Sequence, residues 1–412
     1  MTKPKRHVIL IAYYFPPSEK IGGNRAFRFY KYLKRMGYLC HVITASEQSS
    51  NCPPEITCVT DRLQRRWEGA ARQRFSFSAS VELLVRKLAF PGQIGIMWSI
   101  AVAARCRQII RDNPEHEFVI VCSYPALGVL LAGLIIAAVE RIPWIADFRD
   151  PIAGLLLSHT PGYARFWDRV VERAVFRSAA AIVANTEGAA TIWRFRYPCA
   201  HLKLHVIPNG FDPEDAPQPL EIPTRPEKLI VHAGTLYHGR NPNAVVRSLS
   251  RLRDNGVPEA SVVRILLTGS IASNSGLDLV LCEQARRDGW LELREPVPRE
   301  ECLRILAEAD GFLMLQPQSG IQVPAKLFEY ICIGRPILAL LHRSSSVAEI
   351  LRNSGVPYVC IHPEDEPELI DHQFTDFLRL PTSPTPSSEW FKSNFSVEYQ
   401  TQALSLIIES LG

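Results

Sequence analysis

Residues 7–45 read HVILIAYYFPPSEKIGGNRAFRFYKYLKRMGYLCHVITA. The stretch opens on HVILIAYYF, an apolar run without alternation, which fits a strand buried on both faces. Gly22 and Gly23 then precede an amphipathic segment, NRAFRFYKYLKRM, which stops at Gly37. LCHVITA follows as a second apolar run. Strand, helix and strand in this order make a βαβ unit, so the sheet is expected to be parallel.

The same alternation runs on through FVIVCSY (118–124), WIADF (144–148) and AAAIVAN (179–185), with helices expected over Leu127–Glu140 and Tyr163–Ser178. Residues 46–115 are Arg-rich and give no clear period. Near residue 205 the pattern restarts. LHVIPNGFD (204–212) ends one series, and the Pro-rich PQPLEIPTRPEK (217–228) reads as a linker or surface loop. LIVHAGTLY (229–237) begins a second series, which continues through VVRILLTGS, GFLMLQP, VPAKLFEYICIGRPIL (323–338) and its terminal PILALL. The expectation is an α/β protein of two Rossmann-like, doubly wound domains. The first covers 1–210 and is rejoined by a C-terminal helix over 390–412. The second covers 211–389, with the Pro-rich DFLRLPTSPTPSS (376–388) as a further connector.

The 412-residue length suits two or three domains, and the net charge of +4 by itself gives no argument for nucleic acid. A nucleic-acid partner is not expected, since no stacking platform interleaves the basic residues. The ten cysteines show neither a CxxC pair nor zinc spacing, and read as small apolar residues in a reducing compartment. The basic, then apolar N-terminus is cut short by Pro16 and Pro17, which makes it a first strand rather than a signal peptide. Ala126–Val139, the longest apolar stretch, is too short to span a bilayer. A cytoplasmic location is expected, with attachment at the inner face of the membrane as an option.

In open α/β sheets, ligands sit at the carboxyl ends of the strands. Three places there carry chemistry. After the first strand, Gly22 and Gly23 before a helix would let backbone N–H groups approach an anion, although the sequence is neither GxGxxG nor a phosphate loop. In HAGTLYHGRNPNAVV, Arg240 stands just before a helix, where a guanidinium can hold two phosphate oxygens. The third place is 319–329. Gly320 and the first helical turn around Val323–Lys326 offer N–H groups, and Glu329 is a lone carboxylate in a helix that looks apolar on all sides. Such a group is costly unless paired or liganded. A Lys326–Glu329 pair at i, i+3 is one solution, and acceptance of two ribose hydroxyls is the other.

Taken together, IAYYFPP with GGNR, WIADFRDP, ANTEG, VIPNGFD, AGTLYHGRNP and VPAKLFEYICIGRPIL resemble the retaining nucleotide-sugar glycosyltransferases of the GT-B fold, in particular those that make bacterial polysaccharides and glycolipids. The resemblance covers nearly the whole chain. It implies two domains facing a cleft, the first for the acceptor and the second for a UDP- or GDP-sugar donor. Gly22 and Gly23 would face the donor diphosphate. Arg240 would neutralise the leaving phosphate, with Lys326 as a second cation, and Glu329 would grip the ribose. Asp147, Arg149 and Asp150 stand where many relatives carry a His near the reacting sugar, so Asp147 and Asp150 are candidate catalytic carboxylates beside Arg240 and Lys326. No metal site and no cofactor beyond the donor are expected, since no convincing Asp-x-Asp motif occurs. The acceptor would be a glycan or a polyprenyl-linked sugar.

One departure stands out. The family often has a second glutamate eight positions before the first, and here that position is Ile321. Ser319, Gln318, Gln322 or backbone would then contact the sugar. A non-catalytic nucleotide-sugar-binding subunit, or a sugar epimerase or hydrolase of the same fold, are the competing readings. Residues 60–111 carry ten Lys and Arg against three Asp and Glu, with Trp67, Phe75 and Phe77. They are expected to attach to an anionic membrane.

Overall fold

The computed structural model describes residues 6–18, 21–47, 52–61, 64, 90, 93–152, 162–221 and 225–411. The chain forms two compact units, Met1–Asn209 with Val397–Gly412, and Gly210–Ser396.

The first unit is built on a seven-stranded sheet, all parallel, in the order β3-β2-β1-β4-β5-β6-β7. The strands are β1 (His7–Ala12), β2 (Leu39–Thr44), β3 (Ile56–Cys58), β4 (Phe118–Tyr124), β5 (Trp144–Phe148), β6 (Ala181–Ala184) and β7 (Leu204–Val206). Every residue of β1, β5 and β6 is buried, as strands covered on both faces require. One face is covered by the helices Trp98–Asp112, Leu127–Glu140 and Gly162–Ser178, whose inward side chains pack with Ile9, Ile11, Trp144 and Phe148. The other is covered by Asn24–Arg35 and the C-terminal helix Val397–Ser410. Leu404, Ile407 and Ile408 of that last helix join the core of Val8, Leu10 and Leu33. Tyr38 donates from its hydroxyl to Glu409 at 2.7 Å.

The second unit has a six-stranded parallel sheet in the order β10-β9-β8-β11-β12-β13. Its strands are β8 (Lys228–Ala233), β9 (Val263–Thr268), β10 (Leu291–Arg294), β11 (Gly311–Gln316), β12 (Ile337–Leu341) and β13 (Tyr358–Ile361). Both sheets therefore reverse strand order beside their first strand, between β1 and β4 and between β8 and β11. Those are the switch points where ligands bind in such folds.

Two expectations need correction. Residues 390–412 are two helices, Glu389–Phe395 and Val397–Ser410, and they fall in different units. Phe391 of the first stacks on Phe211 with ring centroids 5.2 Å apart, and Phe395 lies 5.3 Å from Phe328, so this helix is part of the second core. The cysteines are less uniformly interior than their apolar context suggests. All ten are free, but only Cys40, Cys106, Cys122 and Cys282 are buried. Among the described residues no helix is long and apolar enough to cross a membrane.

Candidate functional site

At the switch point of the second sheet the chain leaves β8 through Gly234. Its φ of +131° is open to glycine alone, and a Cβ there would collide with the ammonium of Lys326. Lys326 is the first residue of the helix Lys326–Ile333, which follows β11. Its Nζ lies 3.2 Å from Nε2 of His232, the penultimate residue of β8. His232 is almost fully buried and donates from Nδ1 to the Leu313 carbonyl at 2.8 Å. That bond fixes the tautomer, so Nε2 is the acceptor for the lysine. Burial, and after it the charge of Lys326, hold His232 well below its ordinary pKa, which keeps it neutral. Desolvation and then the nearby Arg240 charge pull Lys326 from 10.5 down to about 7. The Lys326 ammonium thus lies in the field of the Arg240 guanidinium, and the Glu329 carboxylate offsets part of that repulsion.

Arg240 is buried at the end of the loop from β8. Its guanidinium lies over the Tyr237 ring at 4.5 Å and donates from Nη1 to the Tyr237 hydroxyl at 2.5 Å and from Nη2 to Gln322 Oε1 at 3.3 Å. Gln316, the last residue of β11, is fully buried and turns its Nε2 toward the same Gln322 oxygen at 3.5 Å. Among the described residues its own Oε1 has no hydrogen-bond partner, an unusual state for a buried acceptor. The second unit thus brings Arg240, Lys326, Gln322 and Gln316 to one switch point. His232, Tyr237 and Gln316 are additions to the residues singled out from sequence. All three lie in strand ends or loops that the sequence marked, but their pairings span distances along the chain that no local pattern reveals.

The remaining predicted residues of this unit take roles partly different from those expected. The helix Lys326–Ile333 is not apolar all round. Leu327, Phe328, Tyr330, Ile331 and Ile333 are buried, while Lys326, Glu329 and Cys332 form a half-buried edge. Glu329 pairs neither with Lys326 nor with nothing: Arg299, at the start of the preceding helix, reaches its Oε1 at 3.0 Å. The first-turn N–H groups are partly used, since Leu327 and Phe328 donate to the Pro324 and Ala325 carbonyls. Ser319 is buried, and its hydroxyl accepts from the Gln322 backbone N–H at 3.3 Å. Gly320 is needed for close approach, because a Cβ there would lie 2.7 Å from the Ser344 carbonyl oxygen.

In the first unit, Asp147, a candidate catalytic carboxylate by sequence, is held in a buried ion pair. It is fully buried on β5, where Arg25 donates from Nη2 at 2.8 Å and from Nε at 3.0 Å, and Ser123 donates at 2.9 Å. The same guanidinium donates to the Ile207 and Pro208 carbonyls at 2.9 Å each. With both oxygens engaged, Asp147 ties the first helix, two strands and the chain leaving β7 together. Asp150 is half-buried beyond the end of β5. It is one of three carboxylates, with Asp168 and Glu172, whose charges add to burial in pushing the Tyr124 phenol up to about 12. Gly22 lies against the Tyr14 ring and Gly23 against the 14–15 backbone: a Cβ would meet Tyr14 Cδ2 at 2.7 Å and Phe15 N at 3.0 Å, respectively. Close packing favours glycine at both positions. Of the basic segment 60–111, residues 62–63, 65–89 and 91–92, with Trp67, Phe75 and Phe77, lie outside the described residues.

Residues 22–215 match the model of Glycosyltransferase Family 4. No curated protein matches. Among solved structures, the chain is similar along its length to HepE of Anabaena in complex with UDP and glucose, at 16% identity and a TM-score of 0.60, covering 98% of this chain and 100% of that one. It is similar to WaaG, a glycosyltransferase involved in lipopolysaccharide biosynthesis, at 15% identity, a TM-score of 0.55 and 98% coverage of each chain. It is also similar to a UDP-forming trehalose-phosphate synthase of Burkholderia xenovorans, at 11% identity, a TM-score of 0.63 and 99% coverage of each. At these identities the likeness establishes the fold, two parallel-sheet Rossmann-like domains of the GT-B type. The family match adds support for a glycosyltransferase.

Proposed function

We propose that the protein is a retaining glycosyltransferase that moves a sugar from a UDP- or GDP-sugar to a glycan or polyprenyl-linked acceptor, in surface polysaccharide or glycolipid assembly on the cytoplasmic side of a membrane. The observation that carries this reading is the convergence of Arg240 and Lys326 at the switch point of the second sheet. Two cations held close together repel, and the depressed pKa of Lys326 expresses that repulsion and its desolvation. A diphosphate relieves both.

In this reading the diphosphate lies against Arg240 and Lys326, and the ribose hydroxyls take Glu329 from Arg299. The bond between the sugar's anomeric carbon and the phosphate oxygen breaks, and the acceptor oxygen bonds to the same face of that carbon. The acceptor proton passes to the departing phosphate. Arg240 and Lys326 stabilise the charge that develops on the leaving group, as preorganised electrostatics in place of a metal. His232 is a positioning residue that holds the Lys326 ammonium. Gln316, with an unused buried oxygen, and Gln322 supply polar contacts that Ile321 cannot.

The test is transfer of label from a panel of UDP- and GDP-sugars to a lipid-linked acceptor extract. Consumption of one donor with label in the acceptor supports the reading. Tight nucleotide-sugar binding without consumption, whatever the acceptor, would favour a binding subunit. Donor consumption with no acceptor requirement would favour an epimerase or hydrolase.

A further inference from the structure

Lys326 differs from the other described lysines in the company its amine keeps. Lys34 and Lys392 pair with Glu55 and Glu389. Lys31 lies over the Tyr32 ring at 5.2 Å. Lys203 and Lys228 donate to the Ala179 and Leu378 carbonyls at 2.7 Å each. Lys326 Nζ instead meets His232 Nε2 at 3.2 Å, on a ring whose Nδ1 is committed to the Leu313 carbonyl. Three further groups act on its proton. Arg240, on the loop after β8, disfavours the ammonium, while Glu329 on its own helix and Cys302 on the helix Arg299–Ala307 favour it. Burial and Arg240 prevail, so near pH 7 about half of these side chains are the free amine. Cys302 is no rival nucleophile, since burial pushes its thiol up and keeps it protonated.

We infer that Lys326 is a modification site, a nucleophilic amine that takes the acyl group of a small acyl phosphate and so removes the second cation of the switch point. The inference rests on the anion site of the proposed function, but not on sugar transfer. Arg240 docks the reagent, because a guanidinium can hold two phosphate oxygens. Docking brings the acyl carbonyl to an uncharged amine, which is the reactive form. The nitrogen lone pair forms a bond to the acyl carbon, and the bond from that carbon to the bridging phosphate oxygen breaks. Inorganic phosphate leaves with that electron pair. The proton shed by the nitrogen passes to His232 Nε2 and on to the departing phosphate, so the imidazole ends neutral as it began. The product amide carries no charge. It also adds bulk beside Gly234, where even a Cβ would collide with the lysine. Supply of acyl phosphate would in this way set how much of the protein can hold a diphosphate.

The experiment incubates the full chain with acetyl phosphate and follows each lysine by peptide mass spectrometry, with Lys34 and Lys392 as internal references. Near pH 7, Lys326 should be acetylated at least about tenfold faster than either reference. Its rate should level off above about pH 8, while theirs keep climbing about tenfold per unit toward the ordinary lysine pKa. Saturating inorganic phosphate, and the variant R240Q, should each slow Lys326 by about tenfold or more and leave the references unchanged. The melting temperature checks the fold of R240Q, and the phosphate competition needs no variant. Lys326 acetylation no faster than that of Lys392 would overturn the inference, and so would equal rates with and without phosphate. Calorimetry with UDP on the same samples separates this inference from the donor reading. Tight UDP binding with a slow Lys326 would sink the inference and spare the donor site. Fast acetylation, slowed by phosphate, in a protein that binds no UDP would sustain the inference and sink the donor reading.

Discussion

If Lys326 sits near pKa 7 in the free protein because burial and Arg240 oppose its charge, binding of a nucleoside diphosphate must take up a proton. The perturbation is pH alone. The free group is about half protonated near pH 7 and about one-tenth protonated near pH 8. Two negative phosphates within contact distance restore a pKa near or above the ordinary value for lysine, so the bound form is fully protonated through this range. Lys326 should therefore contribute an uptake of about 0.1 proton near pH 6, about 0.5 near pH 7 and about 0.9 near pH 8, against which the terminal phosphate releases about 0.5 proton near pH 6, about 0.1 near pH 7 and almost none near pH 8. Through Lys326 alone the apparent dissociation constant should rise about tenfold between pH 6 and pH 8, of which the ligand's titration offsets about twofold, and steepen toward tenfold per unit above that. The direction is opposite to that of the ligand's own titration: a terminal phosphate with a second pKa near 6 gains charge as pH rises, which alone would tighten binding. Isothermal titration calorimetry in buffers of different ionisation enthalpy reads the proton count directly. K326M should bind more weakly and lose most of the uptake. Equal proton uptake by wild type and K326M, or affinity that does not fall above pH 7, would refute the placement of Lys326 at the diphosphate.

Glu329 separates a ligand contact from a structural pair. Its bond to Arg299 joins two partly exposed side chains, 24% and 55%, so E329Q should cost at most about 1 kcal/mol of stability. Loss of a charge-assisted bond to the ribose should weaken UDP binding by about 10- to 100-fold. A large drop in melting temperature with unchanged affinity would return Glu329 to a purely structural role. Asp147 should behave in the opposite way. Removing its charge leaves Arg25 buried without its partner, so D147N should destabilise the protein by about 3–5 kcal/mol in chemical denaturation. Near-normal stability with abolished turnover would instead restore it as a reacting group.

The architecture was legible because parallel strands buried on both faces announce themselves as unbroken apolar runs, and because the glycines and prolines between them fall at turns. The helix end at Gly334 is an example: the residue adopts a φ of +78° where the sequence places the stop. The switch-point position of Arg240 and Lys326 was legible for the same reason, since strand ends can be read even when contacts cannot. What escaped the sequence were pairs between distant segments. Arg25 meets Asp147 across 122 positions, His232 meets Lys326 across 94, and Arg299 meets Glu329 across a helix junction. Local spacing offered Lys326 beside Glu329 as a partner. The fold supplied others because parallel crossovers bring strand ends together from far along the chain. The break between Phe395 and Val397 was hidden likewise, because both halves of that segment have helical periodicity and only the destination of Phe391 distinguishes them.

The account rests on Arg240 and Lys326 acting together as the diphosphate site of a working transferase. The most direct measurement is turnover of whichever nucleotide sugar the protein accepts, comparing wild type with R240A in the presence of a metal chelator. The account predicts that wild-type turnover survives chelation and that R240A loses on the order of 10²–10³ in rate, the usual cost of removing one preorganised charge stabiliser. Wild-type activity that disappears on chelation and returns with magnesium or manganese, or R240A turnover equal to wild type, would contradict it.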